Sequence, residues 1–234
     1  PQLWSPDERQ RDQAAQAIAA SGAPPEPRWG RQQLLLARAL SSRIQRQDDQ
    51  YLEAYAALKP DLPPRLLAFH LGNGASICAI RGGDSVATTM GYSPLDGLTM
   101  GTRSGALDPG HVLRLAREMG AEAAEALLNG KSGHNALAGE NDMARLLALD
   151  DARSRYADDH FCSWAARHAG SLVTAMGGLD AIAFTGGIGE NAPDIRARIT
   201  AHLAYLGAVP VHVVAAEEER QIARETADVL AARA

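Results

Sequence analysis

From Leu66 onward, apolar and polar positions fall into patterns that sort the chain into strands and helices. Residues 66–71 form a short, almost continuous apolar run of strand length. Residues 76–80 and 85–89 flank Arg81-Gly82-Gly83-Asp84, and together they predict a β-hairpin. Helical patterns follow over about 111–119, 122–128 and 142–149. A longer one spans 154–176 and stops at Gly177-Gly178. Residues 181–184 read as a buried strand that runs into a glycine loop. Pro193 suits the first position of a helix to about 206, followed by a strand at 211–214 and a closing helix at 217–230. The first 64 residues lack this crispness. Residues 1–30 mix five prolines with charged residues and Gln and read as poorly structured, with a short helix possible at 14–20. Residues 32–58 make a better helical run with only a rough apolar stripe, ended by Pro60, Pro63 and Pro64. The chain thus divides into an irregular or helical segment, 1–64, and an α/β domain, 65–234, in which strands alternate with helices.

Composition narrows the function class. With 46% hydrophobic and 22% charged residues, 234 residues can bury a sizeable core. A net charge of −5 argues against a nucleic-acid partner, which usually meets a basic face. No apolar run has the length of a membrane span, and no signal peptide is visible, so a cytoplasmic protein is expected. Cys78 and Cys162 have no metal or redox spacing and read as small buried hydrophobes. His160 and His168 lie two turns apart on one helix, without ligand partners at metal spacing, and read as structural or exposed.

Three glycine-rich blocks carry the candidate chemistry. The first is His70-Leu71-Gly72-Asn73-Gly74-Ala75-Ser76, the second runs from Gly91 through Pro94 to Thr102-Arg103-Ser104-Gly105, and the third is Phe184-Thr185-Gly186-Gly187-Ile188-Gly189-Glu190-Asn191. Glycine lets backbone approach a ligand closely. The Arg103 guanidinium is a rigid fork of donors suited to phosphate or carboxylate. Such blocks fit nucleotide phosphates and a small anionic substrate. Two rival motifs fail. Gly187-Ile188-Gly189-Glu190-Asn191-Ala192 fits a dinucleotide fingerprint, but the acidic residue expected about 20 positions on, at the end of the next strand, is missing; Glu217 comes later, in a helix. Gly130-Lys131-Ser132 would end a P-loop, but Glu125 stands where that loop needs glycine.

In their order and spacing these blocks resemble the acetate kinase family of acetate and propionate kinases. The intervening Ser132-Gly133, Gly178-Leu179-Asp180-Ala181 and Ile222-Ala223-Arg224 are also similar to that family. The resemblance implies the second half of an actin-like, sugar-kinase-like (ASKHA) ATPase fold and a homodimer paired through it. It implies phosphoryl transfer from ATP to acetate, giving ADP and acetyl phosphate, with Mg2+. His70 and Arg103 would be catalytic, with Arg103 and Pro94 at the acetate or propionate. His70, Asn73, Gly74, Asp142, Met143 and the run Gly186, Gly187, Ile188, Gly189, Glu190 and Asn191 would bind the nucleotide. Glu218 would serve magnesium. The chain departs from the family near Asn141-Asp142-Met143, where Ala144 replaces an expected arginine and Arg145 follows one place later. Residues 1–64 also show none of the family's N-terminal motifs: the Asn-x-Gly-Ser-Ser-Ser phosphate loop, the aspartate before Ala-Phe-His, and His-Gly-Thr-Ser-His. A second expectation follows: a truncated or frame-disrupted member that binds nucleotide or dimerises without catalysis. Loss of such groups lowers a rate on the order of thousands-fold or more.

Overall fold

The computed structural model describes residues 63–215. The helices expected at 14–20, 32–58 and 217–230, the irregular 1–30, Glu218 and Ile222-Ala223-Arg224 lie outside the described residues.

Among the described residues five strands form one sheet: β1 (Arg65–Leu71), β2 (Ala75–Arg81), β3 (Asp84–Thr88), β4 (Ala181–Thr185) and β5 (Val211–Val213), in the order β3-β2-β1-β4-β5. The first three make an antiparallel meander, while β4 pairs parallel with β1 and β5 parallel with β4. The β2–β3 turn is Gly82-Gly83, with φ of 61° and 100°. Two positive φ values in a two-residue loop match the strand twist. Arg81 and Asp84, expected in the turn, therefore pair as strand residues, and β3 ends at Thr88 rather than Thr89.

The central strands β1, β2 and β4 are apolar on both faces because both faces are buried. Leu67, Phe69 and Leu71 of β1 join one core cluster, and Leu66 and Ala68 join another on the opposite face. Phe69 pairs in register with Phe184 of β4, and their rings stack at 4.7 Å. At the N-terminal end of β1, the Arg65 fork donates to both Asp180 oxygens, at 2.9 and 2.6 Å. Asp180 thus ties β1 to the entry of β4, well away from the candidate site, and its partner Arg65 holds its carboxyl below the usual range.

Seven helices are described: α1 (Pro109–Met119), α2 (Ala121–Gly130), α3 (Gly133–Ala138), α4 (Met143–Ala148), α5 (Ala152–Met176), α6 (Gly186–Asn191) and α7 (Pro193–His202). Helix α5 spans the first core face, burying Phe161, Ala165, Ala169, Leu172 and Met176. It starts two residues before Ser154, because Asp151 caps it in a capping box with Ser154. Three further expectations are corrected. Helix α3 was not expected, since it is short and begins on two residues without a periodic signal. The glycine loop at 186–191 is instead the short helix α6. The helix from Pro193 ends at His202, and a 3-10 turn, Ala204–Leu206, replaces its last part before Gly207.

Candidate functional site

The parallel pair β1 and β4 carries two of the three glycine blocks to the same sheet edge. His70 pairs with Thr185, so both chains leave the sheet side by side. After Leu71 the chain makes a tight turn in which Gly72 N–H donates to Gly74 C=O at 3.0 Å. After Thr185, Gly186 takes φ 80° and lies so close to β1 that a Cβ would sit 2.8 Å from the Leu71 carbonyl oxygen. That close approach allows only glycine and brings Gly187 beside the turn. The Gly187 amide nitrogen lies 3.9 Å from where a Gly72 Cβ would be.

The second block folds against these turns. Its loop is clamped from within and below: Met100 N–H donates to Arg103 C=O at 3.1 Å, Ser104 N–H to Leu128 C=O at 3.0 Å, and Ser132 N–H to Thr102 C=O at 2.9 Å. Arg103 is half-buried. One guanidinium nitrogen lies 3.6 Å from a Gly74 Cβ position and another contact runs to Met100 Sδ at 3.6 Å. The cation therefore stands over the first glycine turn. A Cβ at Gly72 would also lie 3.9 Å from His70 Nε2, so His70, Arg103 and the turn form one group.

Beside this group opens a cleft of about 600 Å³. Gly72, Asn73 and Gly187 line it from the strand ends, Gly101 from the second block, Asn141 to Ala144 and Leu147 from α4 and its approach, and Ile188 and Asn191 to Asp194 from α6 and α7. The strand-end lining is amide and glycine. The lining from α4 and the α6–α7 junction is mostly apolar: Met143, Ala144, Leu147, Ile188, Ala192 and Pro193. Such a cleft fits a ligand with a polar end and a flat apolar end.

Of the expected nucleotide residues, Asn73, Asp142, Met143, Gly187, Ile188 and Asn191 line the cleft. His70, Gly74 and Arg103 stand beside it at the glycine turn. Gly186 and Gly189 shape the β4–α6 bend and are buried. The Glu190 and Gly189 carbonyls accept from Arg196 at 2.9 and 2.8 Å, fastening α6 to α7. Pro94 lies in the turn between Ser93 and Asp96, where Asp96 N–H donates to Ser93 C=O at 3.3 Å, and is not among the cleft-lining residues. Two side chains are already engaged. One Asp142 oxygen caps α4 through Arg145 N–H at 2.9 Å, and Asn191 donates to Gly187 C=O at 2.9 Å. Ala144 faces the cleft, in the place where an arginine was expected.

Asn141, quoted above with the family-like segment, also lines the cleft, as do His134 and Asp194, which were not singled out from sequence. A histidine at the start of a six-residue helix leaves no periodic mark. Among the described residues no three His, Cys, Asp or Glu side chains gather as a metal cage. His160 instead bonds Thr99 Oγ1 at 2.9 Å and stacks on Trp164, and burial lowers its pKa. Both cysteines are buried, and burial pushes the Cys162 thiol up to about 11. Among the described residues, no helix is long and apolar enough to cross a membrane.

Residues 50–231 match the model of the Acetokinase family, a match that begins upstream of β1. An acetate kinase of Nitrobacter hamburgensis is 42% identical over 189 residues, covering 71% of this chain and 47% of that protein. An acetate kinase of Solibacter usitatus is 50% identical over 149 residues, covering 61% of this chain and 36% of that protein. Among solved structures, Porphyromonas gingivalis acetate kinase superimposes with a TM-score of 0.71 at 30% identity, covering 78% of this chain and 54% of that one. A Francisella tularensis propionate kinase does so with a TM-score of 0.69 at 35% identity, covering 76% and 53%. The chain therefore spans about a third to a half of the curated relatives it matches.

Proposed function

This chain belongs to the acetokinase family, and we propose that its cleft holds ATP or ADP for acetate kinase-type phosphoryl transfer. The observation that carries this reading is the meeting of Asn73 and Gly187 in one cleft at the C-terminal ends of β1 and β4. Ligands of open α/β sheets bind at that edge. The proposed acceptor is acetate, with propionate the alternative. An acceptor carboxylate oxygen bonds to the γ-phosphorus as the bond from that phosphorus to the ADP oxygen breaks, and ADP leaves.

Little covalent work falls to the protein in such a transfer; positioning and charge neutralisation dominate. The glycine turn and Gly187 allow phosphates to approach backbone. Arg103, over that turn, would neutralise charge on the acceptor carboxylate or the moving phosphoryl group, and its fork fits either. His70, beside the same turn, would hold the phosphoryl group. Asn191, whose amide nitrogen is engaged, would offer its oxygen. The apolar lining from α4 and Ile188 would take the base. Mg2+ would offset phosphate charge, and it commonly binds through one or two carboxylates with substrate phosphates. The cleft's carboxylates are Asp142, engaged as a cap, and Asp194. The described residues thus present no magnesium cage, and no step above runs through the metal. We also place the protein in the cytoplasm as a homodimer.

The test is titration calorimetry of the purified chain with Mg-ADP, paired with a hydroxamate assay for acetyl phosphate. Binding together with acetyl phosphate formation that falls at least a hundredfold in Arg103→Ala supports the reading. Binding without turnover supports a family member that holds nucleotide without catalysis. No binding at millimolar ADP overturns the proposal.

A further inference from the structure

One side chain of the cleft wall has two polar atoms and no bond for either. His134 lines the cleft and is 1% exposed. Among the described residues, neither its Nδ1 nor its Nε2 has a hydrogen-bond partner. Buried polar side-chain atoms are nearly always bonded, so such an orphan calls for a partner that arrives from elsewhere. The ring has little freedom to find one by moving. Its backbone N–H donates to Met100 C=O at 2.9 Å, and its ring stands edge-on to Phe161 with centroids 5.1 Å apart. Gly133, just before it, has φ 63° and lies so near the Met100 carbonyl that a Cβ would collide with the oxygen. The chain is thus pressed against the second glycine block, with His134 in the wall between that block and α5.

The chemistry of the ring narrows the partner. Burial pushes its pKa down to about 4; nearby His160 adds to the effect and Asp158 opposes it. At neutral pH the imidazole is uncharged, with one nitrogen donating and the other accepting. A phosphate oxygen only accepts, and it can satisfy one of the two. A base edge or a ribose hydroxyl carries donors as well as acceptors. The apolar lining of the same cleft, Met143, Leu147 and Ile188, also suits the uncharged half of a nucleotide better than its phosphates.

We propose that His134 hydrogen-bonds the nucleoside part of the nucleotide in this cleft and so helps determine which nucleotide binds. The assignment rests on the nucleotide reading given under Proposed function. It is tested by calorimetry on the full chain with Mg-ADP and with pyrophosphate as a probe that lacks a nucleoside. His134→Leu weakens ADP about tenfold, the worth of a well-formed buried hydrogen bond, and leaves pyrophosphate unchanged. His134→Gln, which keeps a donor and an acceptor, recovers most of the ADP affinity. In the wild-type chain, the 15N resonances of the His134 ring move on adding ADP and stay put on adding pyrophosphate. This arm does not depend on the variants folding. Equal ADP affinity in His134→Leu with unmoved ring resonances overturns the assignment; a permanent buried water would give that result. Equal losses for ADP and pyrophosphate overturn it in favour of a packing role. A wild-type chain that gives no heat with ADP overturns the nucleotide reading itself, and this assignment with it.

Discussion

Gly133 shows how much one residue can fix at this site. It has both a left-handed φ and a carbonyl where a side chain would begin. Gly133→Ala must therefore strain the backbone and push α3 off the Met100 loop. The expected cost is about 2–4 kcal/mol, read from urea unfolding, with ADP affinity lost alongside. A second consequence concerns pH. The His134 pKa is about 4 in the folded chain against 6.5 for an ordinary histidine. Between those values the unfolded chain binds a proton that the folded chain refuses. The stabilisation is complete above about pH 6.5 and is lost as pH falls toward 4. The loss from this one ring is ~3 kcal/mol. His160, also lowered by burial, acts in the same direction, while the charge of Asp158, itself bonded to Arg198 at 3.0 Å, opposes the lowering at His134. Comparing unfolding of the wild-type chain and His134→Leu between pH 7 and pH 4.5 isolates the ring. A wild-type curve that falls no faster than the variant's would contradict the buried neutral imidazole. At this scale, the glycine blocks and Arg103 were legible because their residue types are tied to their chemistry. His134 was not, because burial and an absent partner are properties of packing that spacing does not encode.

Among the elements, α5 is held at both ends by local signals. Asp151 caps its start, and Gly177, with φ 76°, ends it in the left-handed conformation. A Cβ at Gly177 would meet nothing within 4 Å, so only backbone preference opposes a side chain there. Gly177→Ala should cost about 1 kcal/mol, clearly less than Gly133→Ala, and Gly177→Asn less still, since Asn tolerates this region. Urea midpoints for the three variants check the order; a Gly177→Ala cost equal to that of Gly133→Ala would break the distinction between conformational and steric demand. Most elements could be seen in the pattern of the chain, because strands buried on both faces are continuously apolar and α5 is long. What could not be seen was short and tertiary. Helix α6 forms because Gly186 folds back on the Leu71 carbonyl, and α3 forms because Gly133 docks on the second block. Neither contact is written in a local period. The hairpin was placed correctly but its turn was drawn too wide, since two positive-φ glycines suffice to reverse the chain.

At the scale of the molecule, one parallel pair decides where the chemistry can be. Because β1 and β4 run side by side and end together at His70 and Thr185, glycine turns more than a hundred residues apart become the two sides of one cleft. The core beneath is stiff, with Phe69 stacked on Phe184 and α5 across the sheet. A ligand in the cleft touches the ends of β1 and β4, the second block, α4 and α7 at once. It therefore binds only when these elements are folded together, and it should stabilise the chain as a whole. At a Mg-ADP concentration ten times its dissociation constant, the gain is about 1.4 kcal/mol. For a domain of this size that corresponds to a rise in Tm of roughly 3–6 °C. Asn73 lines the cleft but lies outside both core clusters. Asn73→Ala should accordingly leave the Tm of the free chain within about 1 °C while removing most of the rise with Mg-ADP. Scanning calorimetry of both chains with and without nucleotide checks this. A rise that survives Asn73→Ala undiminished would move the nucleotide away from the meeting point of β1 and β4, and with it the proposed site of phosphoryl transfer.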